Sequence, residues 1–131
     1  PEKIHWFFNE PWPGVVRAKG FFWLSTRPDY VGEMSQAGAF VRHNGLGRWW
    51  ASVPENRWPH TDEFESLLKE NWSPQYGDRR QEIVFIGLKG EMDEQAIRQR
   101  LDDCLVTEYL DAPSVWQNIQ DPFPDWFQDG V

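Results

Sequence analysis

The stretch RAKGFFWLST, Arg17 to Thr26, decides how the rest of the chain is read. Val16, Ala18, Gly20, Phe22 and Leu24 fall on one side of an extended strand, and Arg17, Lys19, Phe21, Trp23 and Ser25 on the other. This is period-two patterning with one apolar face and one mixed face. The mixed face begins basic and turns aromatic, so its far end is expected to be covered as well. Gly20 sits among bulky neighbours, and a glycine inside a strand weakens it unless another backbone comes close there. A strand buried on one face and partly on both belongs in the middle of a sheet.

Working outward, Pro1-Glu-Lys-Ile-His-Trp-Phe-Phe8 reads as a helix with Ile4, Phe7 and Phe8 on one face. It is opened by a proline, which suits a first turn. An opening directly into a helix, without Met, reads as a piece of a longer protein. Pro11 to Gly14 separates this helix from the central strand. Arg27-Pro28-Asp29 ends that strand because Pro28 has no N–H for a ladder. Val31 to Arg42 is a second strand with a bulge expected near Gly38. Asn44-Gly45 reads as the hairpin turn, since both residues tolerate positive φ, and Gly47 to Val53 as the returning third strand. Thr61 is a candidate N-cap for a helix carrying Phe64, Leu67, Leu68 and Trp72. Asp62 and Glu63 suit its positive end. Arg80 to Leu88 is apolar on both faces and reads as an interior strand. Asp93 caps another helix, with Met92 and Ile97 placed as a hydrophobic staple. Ile97, Leu101, Cys104 and Leu105 form its buried stripe. Val106 to Leu110 is a candidate short last strand, followed by an irregular aromatic tail. The order of elements predicts an α+β two-layer sandwich: a mainly antiparallel sheet of 4–5 strands with helices on one face.

The chain has 131 residues, enough for one domain with a modest core. Its aromatic content of 16%, with nine Trp and nine Phe, excludes a disordered chain. Mean hydropathy is negative. No apolar run approaches the length of a membrane helix, roughly 20 residues. The opening residues do not read as a secretory signal, and a single cysteine, Cys104, fits a reducing, cytoplasmic setting. The net charge of −8 makes nucleic acid an unsuitable partner. After Arg100 there is no Lys or Arg, while Asp102, Asp103, Glu108, Asp111, Asp121, Asp125 and Asp129 follow, so nearly all the net charge belongs to the C-terminal quarter. That segment reads either as a solubilising tail or as one that docks on a basic surface.

Chemistry is sparse. No GxxxxGK[ST] phosphate loop is present, and the glycines make no dinucleotide fingerprint. His5, His43 and His60 lie on three separate elements without metal-ligand spacing. Cys104 falls on an apolar helical stripe beside Asp102 and Asp103, which suits a core residue better than a nucleophile. Ser25, Ser35 and Ser52 lack a nucleophile-elbow motif, and Glu33 with Asp78 is a carboxylate pair that many chains offer. Gly77-Asp78-Arg79-Arg80 is the polar cluster of note. It is either a structural turn with an ion pair, or an arginine pair presented to a partner.

Five segments taken together carry a resemblance. WPGVVRAKGFFWL (Trp12 to Leu24) with Thr26-Arg27-Pro28, GRWWA (Gly47 to Ala51), GDRRQEIVFIG (Gly77 to Gly87) and DDCL (Asp102 to Leu105) are similar to the C-terminal domain of CobW-type proteins, in the same order along the chain, and DPFP (Asp121 to Pro124) with Trp126 resembles the tail that some members carry. The resemblance implies a domain over residues 1–112 and an acidic, aromatic-rich tail over 113–131. It implies an N-terminal P-loop GTPase domain as partner within the same protein, metal delivery involving zinc or cobalt, and metalloprotein clients, with some relatives helping to activate nitrile hydratase. GTP, Mg and Zn or Co are implied for the full-length family. They are held mainly by Walker motifs and a CxCC motif that this sequence does not contain, so no catalytic, cofactor-binding or metal residue carries over. The expected role is an accessory interaction domain, with Trp50, Arg79, Arg80, Trp12 and Trp58 as candidate contacts, because aromatic and Arg anchors dominate interface energetics. The other class of function is a self-contained metal-binding or enzymatic domain using His43, His60, Glu33 or Cys104.

Overall fold

The central strand, β1 (Val15–Phe22), lies inside a four-stranded antiparallel sheet of order β3-β2-β1-β4, with β2 (Tyr30–Ala37) on one side and β4 (Glu82–Gly87) on the other. β3 (Phe40–Arg48) pairs with β2 at the far edge. A computed structural model describes residues 1–106, 109 and 113–126. Ala18 and Phe22, the apolar side of β1, are 1% and 2% exposed. Register carries that face across the sheet: Gly20 is opposite Met34 and Ile83, Ala18 is opposite Gln36 and Phe85, and Met34 is opposite His43. Gly20 has its expected reason. A Cβ there would stand 2.0 Å from the Glu82 carbonyl oxygen and 2.6 Å from Ile83 Cα. Only a glycine lets β4 approach this closely.

Two helices cover this face. α1 (Glu2–Asn9) buries Phe7 and Phe8, which lie edge-on to Phe85 and Phe22 respectively. α3 (Glu94–Asp102) is capped by the Asp93 carboxylate, which accepts from Ala96 N–H at 3.0 Å, and buries Ile97 in the same core. The arrangement is the expected two-layer α+β fold. α2 (Asp62–Glu70) is capped by Thr61 as its sequence predicts, but stands apart from that core. It packs through Phe64 on Trp50 and Trp58, and its Leu67 is exposed. A fourth, short helix, α4 (Pro113–Gln117), precedes the segment Asp121–Trp126, which returns over the core and buries Phe123 against Phe22.

Several expectations need correction. Val16, expected on the apolar face, is exposed at a bulge between Val15 and Arg17, and Leu105, expected in the buried stripe of α3, is exposed beyond its end. The hairpin turn is Gly38-Ala39, with Ala37 opposite Phe40, and Gly38 has φ +61°. Asn44 and Gly45 lie inside β3, where Val31 faces Gly47 and Gly32 faces Gly45. This leaves Leu46 as the extra residue of a bulge. The earlier turn wins because it lets Val41 and His43 join the buried face opposite Gln36 and Met34. Gly47–Val53 is accordingly not a third strand: β3 ends at Arg48, and Trp50–Ser52 forms a 3₁₀ turn. β4 is an edge strand rather than an interior one, with Val84, Ile86 and the following Leu88 exposed. The candidate strand over Val106 to Leu110 falls largely outside the described residues.

Candidate interaction surface

The Gly77–Arg80 cluster ties three segments together. Gly77 adopts φ +69° and exchanges two backbone hydrogen bonds with Ser73, closing a small loop. This turn delivers the Asp78 carboxylate, 6% exposed, to the first amides of the 3₁₀ turn: Trp50 N–H donates at 2.8 Å and Ala51 N–H at 2.9 Å. Arg79 spans from this turn to the loop after β1, donating to the carbonyl oxygens of Pro28 and Tyr76 and to Ser52 Oγ. Arg80 lies 4.9 Å over the Phe21 ring, donates to the Asp78 carbonyl oxygen and pairs with Glu82 at 3.7 Å.

The aromatic candidates are held internally as well. Trp12 is 8% exposed, stacks on Phe7 and donates its indole N–H to the Phe7 carbonyl oxygen at 2.8 Å. Trp58 donates to the carbonyl oxygens of Val53 and Trp50. Trp50 meets Phe64 edge-on and is half-buried. The structure thus brings Trp50, Trp58 and Arg79 into one neighbourhood around the 3₁₀ turn and places Trp12 apart from them, in the core beneath α1.

The candidate metal donors do not converge. His43 stands on the core face of β3, stacked on Phe8, and His5 is edge-on to it with ring centroids 6.3 Å apart. Burial first, then the neighbouring His5 and Arg27, push the His43 pKa down, so its imidazole favours the neutral form. Burial pushes the Cys104 thiol up, opposite to what a nucleophile or thiolate ligand needs. Cys104 Sγ lies 3.2 Å from the Arg100 carbonyl oxygen. Glu33 projects from the other face of the sheet and His60 precedes α2. Among the described residues no three His, Cys, Asp or Glu side chains come together in a way that would hold a zinc or cobalt ion.

Sequence reasoning missed the outer face of the sheet. Register lays two rows of side chains across it: Ile86, Arg17, Ala37, Phe40 and, next to them, Val84, Lys19, Ser35, Arg42. All eight are exposed, with Phe40, Val84 and Ile86 at 79%, 62% and 58%. Neither row holds a carboxylate, and Arg17, Lys19 and Arg42 form no ion pair among the described residues. On a chain of net charge −8 this is a basic, apolar island. Among the described residues only the third row is capped, where Trp49 packs edge-on to Phe21 and Arg80 covers the same ring. The signal was available in the two-faced apolar pattern of Arg80 to Leu88, which marks a strand that something covers on both sides.

Comparison with known proteins agrees with the resemblance. Residues 1–105 match the family described as the cobalamin synthesis protein cobW C-terminal domain. The chain is 37% identical over 111 residues to the zinc-regulated GTPase metalloprotein activator 1 of Dictyostelium discoideum, covering 83% of this chain and 23% of that protein. It is 29% identical over 131 residues to a zinc chaperone of Mycobacterium tuberculosis, covering 98% of this chain and 32% of that one. The chain therefore spans a quarter to a third of the length of these relatives. No solved structure matches it.

Proposed function

The chain belongs to the cobW C-terminal domain family, and from that membership we propose that it is the accessory, protein-binding domain of a metal-delivering GTPase. Most of the length of its relatives lies outside the matched region; one is named a zinc-regulated GTPase metalloprotein activator and another a zinc chaperone. In this reading GTP, Mg²⁺ and the zinc or cobalt cargo are held by the preceding domain. The present chain supplies a rigid docking face to that domain and to a metalloprotein client. The sequence contains no glycine loop ending in Lys-Ser or Lys-Thr, which the triphosphate and its Mg²⁺ require.

The observation that carries the proposal is the uncovered double row on the outer face. Exposed apolar side chains on the two edge strands, Val84 and Ile86 on β4 and Phe40 on β3, stand beside Arg17 and Lys19 on β1 and Arg42 on β3, cations that form no ion pair among the described residues; this mixture supports reading the face as a contact surface. The partner's complement places carboxylates opposite β1 and β3, with apolar side chains opposite Val84, Ile86 and Phe40. Stacking this face on the same face of a second copy would set Arg17, Lys19 and Arg42 against each other, which disfavours that arrangement.

Thiol protection tests the assignment. In a Cys104→Ser background, Ile86→Cys and Leu67→Cys report on the outer face and on α2 respectively. Both should react with maleimide in the 131-residue chain. In the complete polypeptide Ile86→Cys should be protected by at least tenfold while Leu67→Cys stays reactive. Equal reactivity of Ile86→Cys in both settings would refute the docking face.

A further inference from the structure

The segment Asp121–Trp126 lies in a groove like a bound peptide. Phe123 fills the groove, 5% exposed, with ring centroids 5.0 Å from His43, 5.1 Å from His5 and 5.7 Å from Phe22. Arg27 closes one end. Its Nε and Nη2 donate to the two oxygens of Asp121 at 2.9 and 3.3 Å, Nη2 also to the Phe123 carbonyl oxygen, and Nη1 to the Pro124 carbonyl oxygen, the last two at 2.7 Å. The guanidinium also lies 4.4 Å over the Trp126 ring. Thr26 Oγ1 donates to Asp121 Oδ2, and the other carboxylate oxygen accepts from Phe123 N–H at 2.8 Å. That last bond folds Asp-Pro-Phe into a tight turn. Burial would raise the Asp121 pKa, but these bonds from Thr26, Phe123 and Arg27 outweigh it and hold the carboxyl below its ordinary range. Gly32 keeps the floor open: a Cβ there would come within 2.6 Å of the Phe22 ring and 2.9 Å of Trp126.

The groove and its occupant fall on either side of the family model's end. The groove walls, His5, Phe8, Phe22, Arg27, Gly32 and His43, all lie within the matched residues 1–105, and the segment filling the groove lies beyond them. Without the segment, Phe8 and Phe22 still pack with Phe7, Trp12 and Met34. We propose that this groove is a peptide-docking site of the domain, and that Asp121–Trp126 is its resident occupant. It recognises a carboxylate two residues ahead of a Phe that is followed by Pro. A partner protein presenting that chemistry enters by displacing the tail. Arg27 and Thr26 read the acid and the backbone carbonyls, and the aromatic floor reads the ring. Bidentate Arg–carboxylate pairing gives such recognition its geometry, and a buried aromatic anchor gives it affinity.

The test uses the full 131-residue chain and a labelled synthetic peptide, IQDPFPDW, copying residues 119–126. Asp121→Asn with Phe123→Ala releases the tail. The released chain should bind the peptide saturably by fluorescence anisotropy, and at least tenfold more tightly than the wild-type chain, whose groove is filled. Adding Arg27→Ala to the released chain should abolish binding. Where the released chain loses its fold, added peptide should restore its far-UV circular dichroism. The proposal is overturned by no saturable binding and no restoration, by equal binding to the wild-type chain, or by binding that survives Arg27→Ala.

Discussion

Replacing Asp78 by Ala should cost the domain about 3–5 kcal/mol, because two hydrogen bonds to a charged acceptor are lost at a site with little access to water. The carboxylate is 6% exposed and accepts from Trp50 N–H and Ala51 N–H at 2.8 and 2.9 Å. Each bond to a charged group contributes about 1.5–3 kcal/mol, and an orphaned buried amide carries its own desolvation penalty. Water entering the vacated space recovers part of this, which places the expectation toward the lower end. Asp78→Asn keeps one acceptor oxygen for one of the two amides and should lose about half as much, roughly 2 kcal/mol. Urea unfolding followed by tryptophan fluorescence reads both variants, since Trp50 and Trp58 sit on the turn that Asp78 holds. A loss below about 1 kcal/mol for Asp78→Ala, or an Asn variant as damaged as the Ala variant, would refute the view of GDRR as a staple.

Phe22 is 2% exposed at the centre of the core. Phe22→Ala should cost about 3–5 kcal/mol in the same assay, the usual range for truncating a fully buried Phe, and a loss under about 1 kcal/mol would overturn the face assignment of β1. Gly20→Ala should be among the most damaging single-methyl additions, about 3 kcal/mol or more, since the clash is with β4 backbone that cannot swing aside; an unchanged urea midpoint would contradict the close approach. His43 has a pKa lowered from its ordinary value of 6.5. The unfolded chain therefore binds its proton first as pH falls through that value, and stability should decline below it. His43→Phe should flatten that limb of a stability–pH curve, and a slope identical to wild type would exclude His43 as its source.

Much of this fold was legible because local and tertiary signals agree. The alternation of Ala18 to Phe22, the Thr61 and Asp93 caps and the Phe7–Phe8 face each point to the element that forms, whereas Val16 is exposed at a bulge between Val15 and Arg17. The hairpin was not legible at Asn44-Gly45 because two glycine-containing sites competed. Turn chemistry favours Asn-Gly, but the number of buried cross-strand pairs favours Gly38-Ala39. Gly45 and Gly47 flank a bulge instead. The edge position of β4 was hidden for a related reason. Its apolar pattern states that both faces get covered, and pattern alone does not say whether the cover comes from this chain. The candidate contacts fared differently. Trp12, Trp58 and Arg79 carry the residue types of an interface, yet each has a hydrogen-bond partner inside the fold that no sequence spacing reveals. The basic island needed the register of four strands before Arg17, Lys19 and Arg42 could be seen as neighbours.

The most direct measurement of the central claim is titration calorimetry of the 131-residue chain against a separately expressed GTPase domain, the one proposed to share its polypeptide. The wild-type chain should give saturable heat with a Kd that weakens as salt rises, as expected where Arg17, Lys19 and Arg42 meet carboxylates. The Val84→Asp with Ile86→Asp chain, folded by circular dichroism, should bind at least a hundredfold more weakly. Unchanged binding by that variant would contradict the docking face while leaving the accessory role intact. Absence of heat with the wild-type chain, or GTP turnover by this chain alone, would contradict the accessory role itself.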